Sequence, residues 1–164
     1  MKNSSIILGI DPGTCITGYG IVRSEGPRVI PIDFGCIRPP RHLSCYARYL
    51  VIFEALETLL AKHHPEALAI ESQFVSRNPQ SALKLGIAKG MAILAALKKN
   101  IPIFEYAPKK AKLAVTGNAN ASKQQVQKMI QLLFCLETPP QPEDAADALA
   151  LAICHCHASR GIDV

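Results

Sequence analysis

The sequence predicts an α/β fold, a mixed five-stranded sheet with helices on both faces. Three observations point to it. Apolar runs of strand length, closed by turn residues, open the chain; strands then alternate with longer segments of helical period; beyond Tyr106 only helical segments remain. Strands at hairpin spacing pair antiparallel, whereas strands joined through a helix cross over right-handedly and pair parallel. Both kinds of connection are present, so the sheet is mixed.

Ile6 to Ile10 is a continuous apolar run closed by Asp11, Pro12 and Gly13, the pattern of a buried central strand. Gly18 to Val22 and Val29 to Ile37 follow, separated by the turn residues Glu25, Gly26 and Pro27. After Arg38 to Arg41 the spacing predicts a helix to about Lys62, with Tyr46, Tyr49, Leu50, Phe53, Leu56 and Leu60 on one face. Pro65 ends it, and Ala67 to Glu71 reads as another buried strand. A helix from about Pro79 to Lys99 and a short strand from Ile101 to Tyr106 complete the alternation. The tail is helical around Lys109–Val115, Ser122–Phe134 and Glu143–His157, and Ser122, three residues before Gln125, offers a capping box. Gly86 and Gly90 lie four apart on a helix, where each costs about 1 kcal/mol against alanine. They point to close approach by another element, either the chain's own sheet or a partner subunit.

At 164 residues and 49% hydrophobic, the chain fits one domain, 1–164, with material for a well-buried core. There is no linker, repeat or low-complexity segment. No apolar run approaches the ~20 residues that span a bilayer. The N-terminal apolar stretch meets Asp11 too soon for a signal-peptide core of about 7–15 apolar residues. The expected location is the cytoplasm, with no membrane partner. Six cysteines without a C-x-x-C pair read as reduced thiols. Cys154, His155, Cys156 and His157 read as a helix end rather than a zinc site, because neighbours two apart do not share a helix face.

The net charge of +5 is unevenly spread: Lys84 to Lys128 contains nine lysines and a single acid, Glu105. A one-signed surface of that kind attracts polyanions through counterion release, which favours nucleic acid as partner.

Four acids stand out by position. Asp11 ends the first strand and Glu71 the fourth, where ligands gather in such sheets. A buried, unpaired carboxylate would cost several kcal/mol, so a cation partner is implied. Asp144 and Asp147, three apart near the start of the last helix, share a face, about 60° and 4.5 Å offset. Either also suits a helix N-terminus, where the dipole favours an acid. Hard oxygen ligands without a histidine cluster suit Mg²⁺ rather than zinc.

These blocks resemble the RuvC family of Holliday junction resolvases: Ile7 to Thr14 (ILGIDPGT), Thr17 to Gly20 (TGYG), Ile70 and Glu71 with Phe74, Ser81 to Gly86 (SALKLG), and Asp144 to Ala150 (DAADALA). They fall in the family's order along nearly the whole chain. The resemblance implies a ribonuclease-H-like fold, a homodimer, paired symmetric nicks across a four-way DNA junction, and a place beside the branch-migration proteins RuvA and RuvB. By similarity Asp11, Glu71, Asp144 and Asp147 are the catalytic acids and hold two Mg²⁺ ions, with Mn²⁺ able to substitute. One ion would activate the attacking water and the other steady the leaving 3′-oxygen. Lys112 and Lys123 match basic residues near the scissile phosphate, although composition alone does not separate them from Lys109, Lys110 or Lys128. Phe74 matches an aromatic set against junction bases; its residue type alone favours a core position. The loop carries Cys15 where relatives often hold a basic residue.

Three rivals remain at this level. Asp11 to Thr14 followed by a glycine-containing hairpin also suits the phosphate loop of actin-like and sugar-kinase ATP-binding modules. Those use two such domains, and a second Asp-x-Gly loop is missing here. A junction binder that does not cut would gain nothing from four acids facing phosphate. A ribonuclease of the same fold would carry the same lysines.

Overall fold

Side-chain alternation along the strands decides which residues meet which helices. The computed structural model describes residues 4–72 and 78–161. Its elements run β1 (Ser4–Asp11), β2 (Thr17–Glu25), β3 (Arg28–Ile37), α1 (Cys45–His63), β4 (Ala67–Glu71), α2 (Pro79–Lys98), β5 (Ile103–Tyr106), α3 (Pro108–Thr116), α4 (Lys123–Leu133) and α5 (Glu143–Ala158). The sheet order is β3-β2-β1-β4-β5. β1, β2 and β3 pair antiparallel, while β4 pairs parallel with both β1 and β5. The mixed sheet with helices on both faces is thus as the sequence predicts.

Two cores flank the sheet. Leu8, Ile10, Ile21, Leu68 and Ile70 pack with residues of α1 and α2. Ile7, Val22, Ala67 and Ala69 point the other way, into a core shared with α3, α4 and α5. A strand alternates faces at every residue. Asp11 continues the series 7, 9, 11 and Glu71 the series 67, 69, 71, so both acids fall on the α5 side.

That side is surfaced by small residues. A Cβ on Gly9 would lie 2.0 Å from the Ala148 carbonyl oxygen, and one on Gly18 2.0 Å from that of Asp144. Helix α5 therefore lies closer to β1 and β2 than any side chain would allow. Helices α3 and α4 cover its other side, and from Ala145 to Cys156 only Asp147 escapes full burial. A helix enclosed on all sides must be apolar all round, which explains the alanine-rich composition of α5.

The Cys154–His157 segment belongs to this enclosed helix. The thiols of Cys154 and Cys156 are buried, and the His155 ring hydrogen-bonds the Tyr106 hydroxyl at 2.7 Å while lying against Phe104, with ring centroids 4.4 Å apart. Serine 122 and Gln125 form the predicted capping box at the start of α4.

Two expectations are corrected and one left open is narrowed. In α1 the buried side chains are Tyr49, Ile52, Leu56 and Leu60, whereas Tyr46 is 84% and Leu50 55% exposed. The helix carries two adjoining apolar stripes, and only one meets the sheet. Helix α2 is long and apolar enough, by length and composition, to cross a membrane, which a search for uninterrupted runs misses because Lys84 and Lys89 punctuate it. Here it forms a layer on the sheet through Ala88, Ala92, Ala95 and Ala96, and Lys89 pairs with Glu105 at 2.6 Å. Among the described residues a Cβ on Gly90 would meet nothing within 4 Å, so the chain's own sheet is not what requires a glycine there.

Candidate active site

Strand pairing brings the first two acids together. Ile10 pairs with Ile70 in parallel register, so Asp11 and Glu71 leave the sheet side by side, and their carboxyls share a hydrogen bond. Close seating of α5 on Gly9 and Gly18 then delivers Asp144 and Asp147 to the same place. All four line one cavity of about 350 Å³, together with Lys112 of α3 and Lys123 of α4. Residues far apart in the chain are thereby collected by two strand ends and three helices.

The site is short of positive charge. Burial, then repulsion from Glu71, Asp147 and Asp144, pushes the Asp11 carboxyl up to about 8. Burial also raises Glu71, against the opposing effect of its hydrogen bond to Asp11, and raises Asp147, against the pull of Lys123. Burial alone would lower the Lys123 ammonium. Asp147 at 3.3 Å, with Asp11 and Asp144 beyond it, outweighs that effect and the net shift is upward. Lys123 is thus held in the charged form among the acids.

Carboxylate oxygens are the donors this cavity offers, a set suited to Mg²⁺ or Mn²⁺. Among the described residues no three His, Cys, Asp or Glu side chains converge tightly enough to ligate one ion. A divalent cation among these acids would offset the repulsion that raises Asp11. The residues present therefore fit the ion that the resemblance implies.

The structure separates the lysines that composition could not. Lys112 and Lys123 line the acidic cavity, whereas Lys109 and Lys110 are exposed on α3 outside its lining. Lys128 lies in a different groove on α4, bonded to Gln131 at 2.9 Å. Phe74 lies outside the described residues. Sequence reasoning missed Glu143, whose carboxylate stands 3.8 Å from the Lys123 ammonium and helps to hold it. Its place next to Asp144 in the first turn of α5 was the available signal. It also missed Gly9 and Gly18, whose role depends on a helix more than a hundred residues away.

The raised Asp11 carboxyl has a stability consequence. Its folded pKa, about 8, exceeds the unfolded value near 3.8. The folded state therefore binds the extra proton between those values, and this group's contribution to stability is lost as pH rises from about 4 to 8. In EDTA, Asp11→Asn removes the effect. Thermal denaturation is expected to find it more stable than the unsubstituted protein at pH 8 by about 2–3 kcal/mol, the gap closing toward pH 5. A gap that is constant with pH, or that widens toward acid, would contradict the assignment.

Comparison with known proteins agrees with this geometry. A family model described as crossover junction endodeoxyribonuclease RuvC matches residues 7–155. The crossover junction endodeoxyribonuclease RuvC of Protochlamydia amoebophila is 59% identical over 155 residues, covering 94% of this chain and 92% of the relative. That of Marinobacter nauticus is 47% identical, covering 96% and 89%. Among solved structures, Thermus thermophilus RuvC in complex with a Holliday junction substrate superposes with a TM-score of 0.88 at 31% identity, covering 96% of this chain and 97% of that one.

Proposed function

The chain belongs to the RuvC family of crossover junction endodeoxyribonucleases, with a ribonuclease-H-like fold, and on that footing we propose how its residues carry the reaction. It is a structure-specific DNA endonuclease that resolves four-way Holliday junctions in recombination and repair. The ATP-binding alternative is set aside by that membership. The observation that carries the site assignment is the meeting of Asp11, Glu71, Asp144 and Asp147 in one cavity with two lysines.

The four acids bind the metal that this class of nuclease requires, which we take to be two Mg²⁺ ions, with Mn²⁺ able to replace them. Bound divalent ions supply Lewis acidity for phosphodiester hydrolysis. Asp11 and Glu71, fixed by paired strand ends, set one wall of the site; Asp144 and Asp147, fixed by α5, set the other. Lys123 and Lys112 would offset phosphate charge at this cavity, and the Lys123 ammonium is held by Asp147 and Glu143 before substrate arrives. Lys109, Lys110 and Phe74 would contact DNA farther out. The chain acts as a single nuclease domain, in the cytoplasm, alongside RuvA and RuvB.

Paired nicks require two active sites, and a homodimer supplies them. Helix α2 carries an apolar stripe at Leu83, Ile87, Leu94 and Leu97, all exposed, with Gly90 and its open ground in the same series. Steps of four and three keep that series on one helix face, the spacing of a helix–helix seam. Tyr46 and Leu50 of α1 add exposed apolar surface on the helix packed beside it. Ile87→Glu is expected to convert a dimer to a monomer in sedimentation at micromolar concentration. A dimer of unchanged stability would move the interface elsewhere.

A synthetic four-way junction incubated with Mg²⁺, Mn²⁺, Ca²⁺ or EDTA, with strand products mapped, tests the whole assignment. Expected are symmetric nicks in opposed strands, dependent on Mg²⁺ or Mn²⁺. Equal cutting of linear duplex, or metal-independent cutting, would defeat it.

A further inference from the structure

A second cavity, of about 410 Å³, opens beside the first. Its walls are the β1–β2 loop from Gly13 to Ile16, Ser81 and Lys84 near the start of α2, and Asp144. Asp144 also lines the acidic cavity, so one side chain divides the two spaces. We propose that this second cavity seats a DNA backbone phosphate close to the one being cut, held by the Lys84 ammonium with the Thr14 and Ser81 hydroxyls. It rests on the nuclease function above.

Charge supports this assignment. Lys62, Lys89, Lys98 and Lys123 each pair with a carboxylate, but among the described residues no carboxylate pairs with the exposed Lys84. A second cation stands behind the loop. The Arg48 guanidinium reaches the Cys15 sulfur at 3.8 Å and donates to the Arg41 carbonyl, while its buried Nε has no partner among the described residues. Lys84 and the single carboxylate Asp144 are the charged side chains lining this cavity, and Arg48 adds positive charge from behind its loop wall. An anion is favoured over a metal ion, which seeks several oxygen ligands.

The loop is also built to receive a ligand without rearranging. The Thr17 hydroxyl donates to the Gly13 carbonyl at 2.7 Å and accepts from the Gly13 amide at 3.3 Å, closing the turn. Thr14, inside that brace, has its hydroxyl only 3.9 Å from the Cys15 sulfur, a weak acceptor that a phosphate oxygen would outcompete. Ser81 presents a second hydroxyl from the first turn of α2, where the helix dipole also favours an anion. Leu83, Ile87, Leu94 and Leu97 are not among the residues lining this cavity, so the apolar stripe of α2 and the phosphate use different side chains of the helix.

The test measures binding of a four-way junction in EDTA across a salt series. Lys84→Ala is expected to weaken binding about tenfold near 0.1 M salt and to flatten the slope of log K against log salt by about 0.9. Lys84→Arg should keep the slope, and Lys62→Ala, a lysine paired with Asp33 away from both cavities, should not flatten it. Neutral methylphosphonates placed one at a time around the cut site identify the phosphate. At one position the substitution should weaken the unsubstituted protein and have no further effect on Lys84→Ala. An unchanged slope in Lys84→Ala, or methylphosphonate effects identical in both proteins, overturns the subsite while leaving the nuclease function standing. If the unsubstituted protein neither binds nor cuts a four-way junction, the function falls and the subsite with it.

Discussion

Asp11→Asn is expected to abolish strand cutting while leaving junction binding intact. The substitution keeps the shape of the side chain and one oxygen, and removes the charge at the most electrostatically stressed point of the cavity. Asp11 is the acid that Glu71, Asp147 and Asp144 all repel, so it is where a divalent cation gains most from being bound. Loss of one preorganised electrostatic contact typically costs a factor of about 10²–10³ in turnover, and the loss of a charged metal ligand should reach at least that. Binding depends on basic groups facing phosphate, and removing an acid from that surface leaves affinity equal or slightly higher. Single-turnover nicking beside a binding titration separates the two effects. Normal nicking with Mg²⁺ would remove Asp11 from the catalytic set. Lost binding would mean that the fold, rather than the chemistry, had been damaged.

Gly18→Ala should be nearly as damaging, for a reason unrelated to charge. The added Cβ would lie 2.0 Å from the carbonyl oxygen and 2.4 Å from the carbonyl carbon of Asp144. Both are backbone atoms of a buried helix, so no flexible side chain can move aside. Either β2 or α5 must shift by more than an ångström. Overpacking of this kind costs about 1–3 kcal/mol and occasionally more. The shift also carries Asp144 and Asp147 away from Asp11 and Glu71, and a misplacement of about 1 Å at a reacting centre can cost a factor of about 10². Gly26→Ala is the control. Its left-handed backbone (φ +53°) makes alanine unfavourable, but a Cβ there meets nothing within 4 Å among the described residues and lies in the turn between β2 and β3. It should lower stability by about 1 kcal/mol and leave the nicking rate alone. A Gly18→Ala protein with unchanged melting temperature and rate would show that α5 is not held against the sheet as described.

The lysines and the helix faces show where local pattern stopped being informative. Nine lysines between residues 84 and 128 marked a basic region, yet only Lys112 and Lys123 among them reach the acidic cavity. Lys84 borders the neighbouring cavity, and Lys89 is buried against Glu105. A lysine reads the same in sequence whether it faces solvent, an acid or a ligand. In α1 the apolar spacing was correct but ambiguous, because Tyr46 and Leu50 belong to a stripe the sheet never covers. Glycine was ambiguous in the same manner. Gly9 and Gly18 carried no local sign of their helix contact, and Gly90 marked a contact that no other element among the described residues supplies.

By itself the sequence determined the ten-element order, the mixed sheet, and the positions of Asp11 and Glu71 at strand ends, because alternation and turn chemistry act over a few residues. It also carried the blocks that resemble the family to which the chain belongs. Tertiary structure decided which acids share a cavity with which lysines, that Glu143 steadies Lys123, and how closely α5 approaches β1 and β2. Those outcomes depend on pairs of residues separated by tens to more than a hundred positions. Their distances follow from the packing of whole layers, a property that no local window of sequence contains.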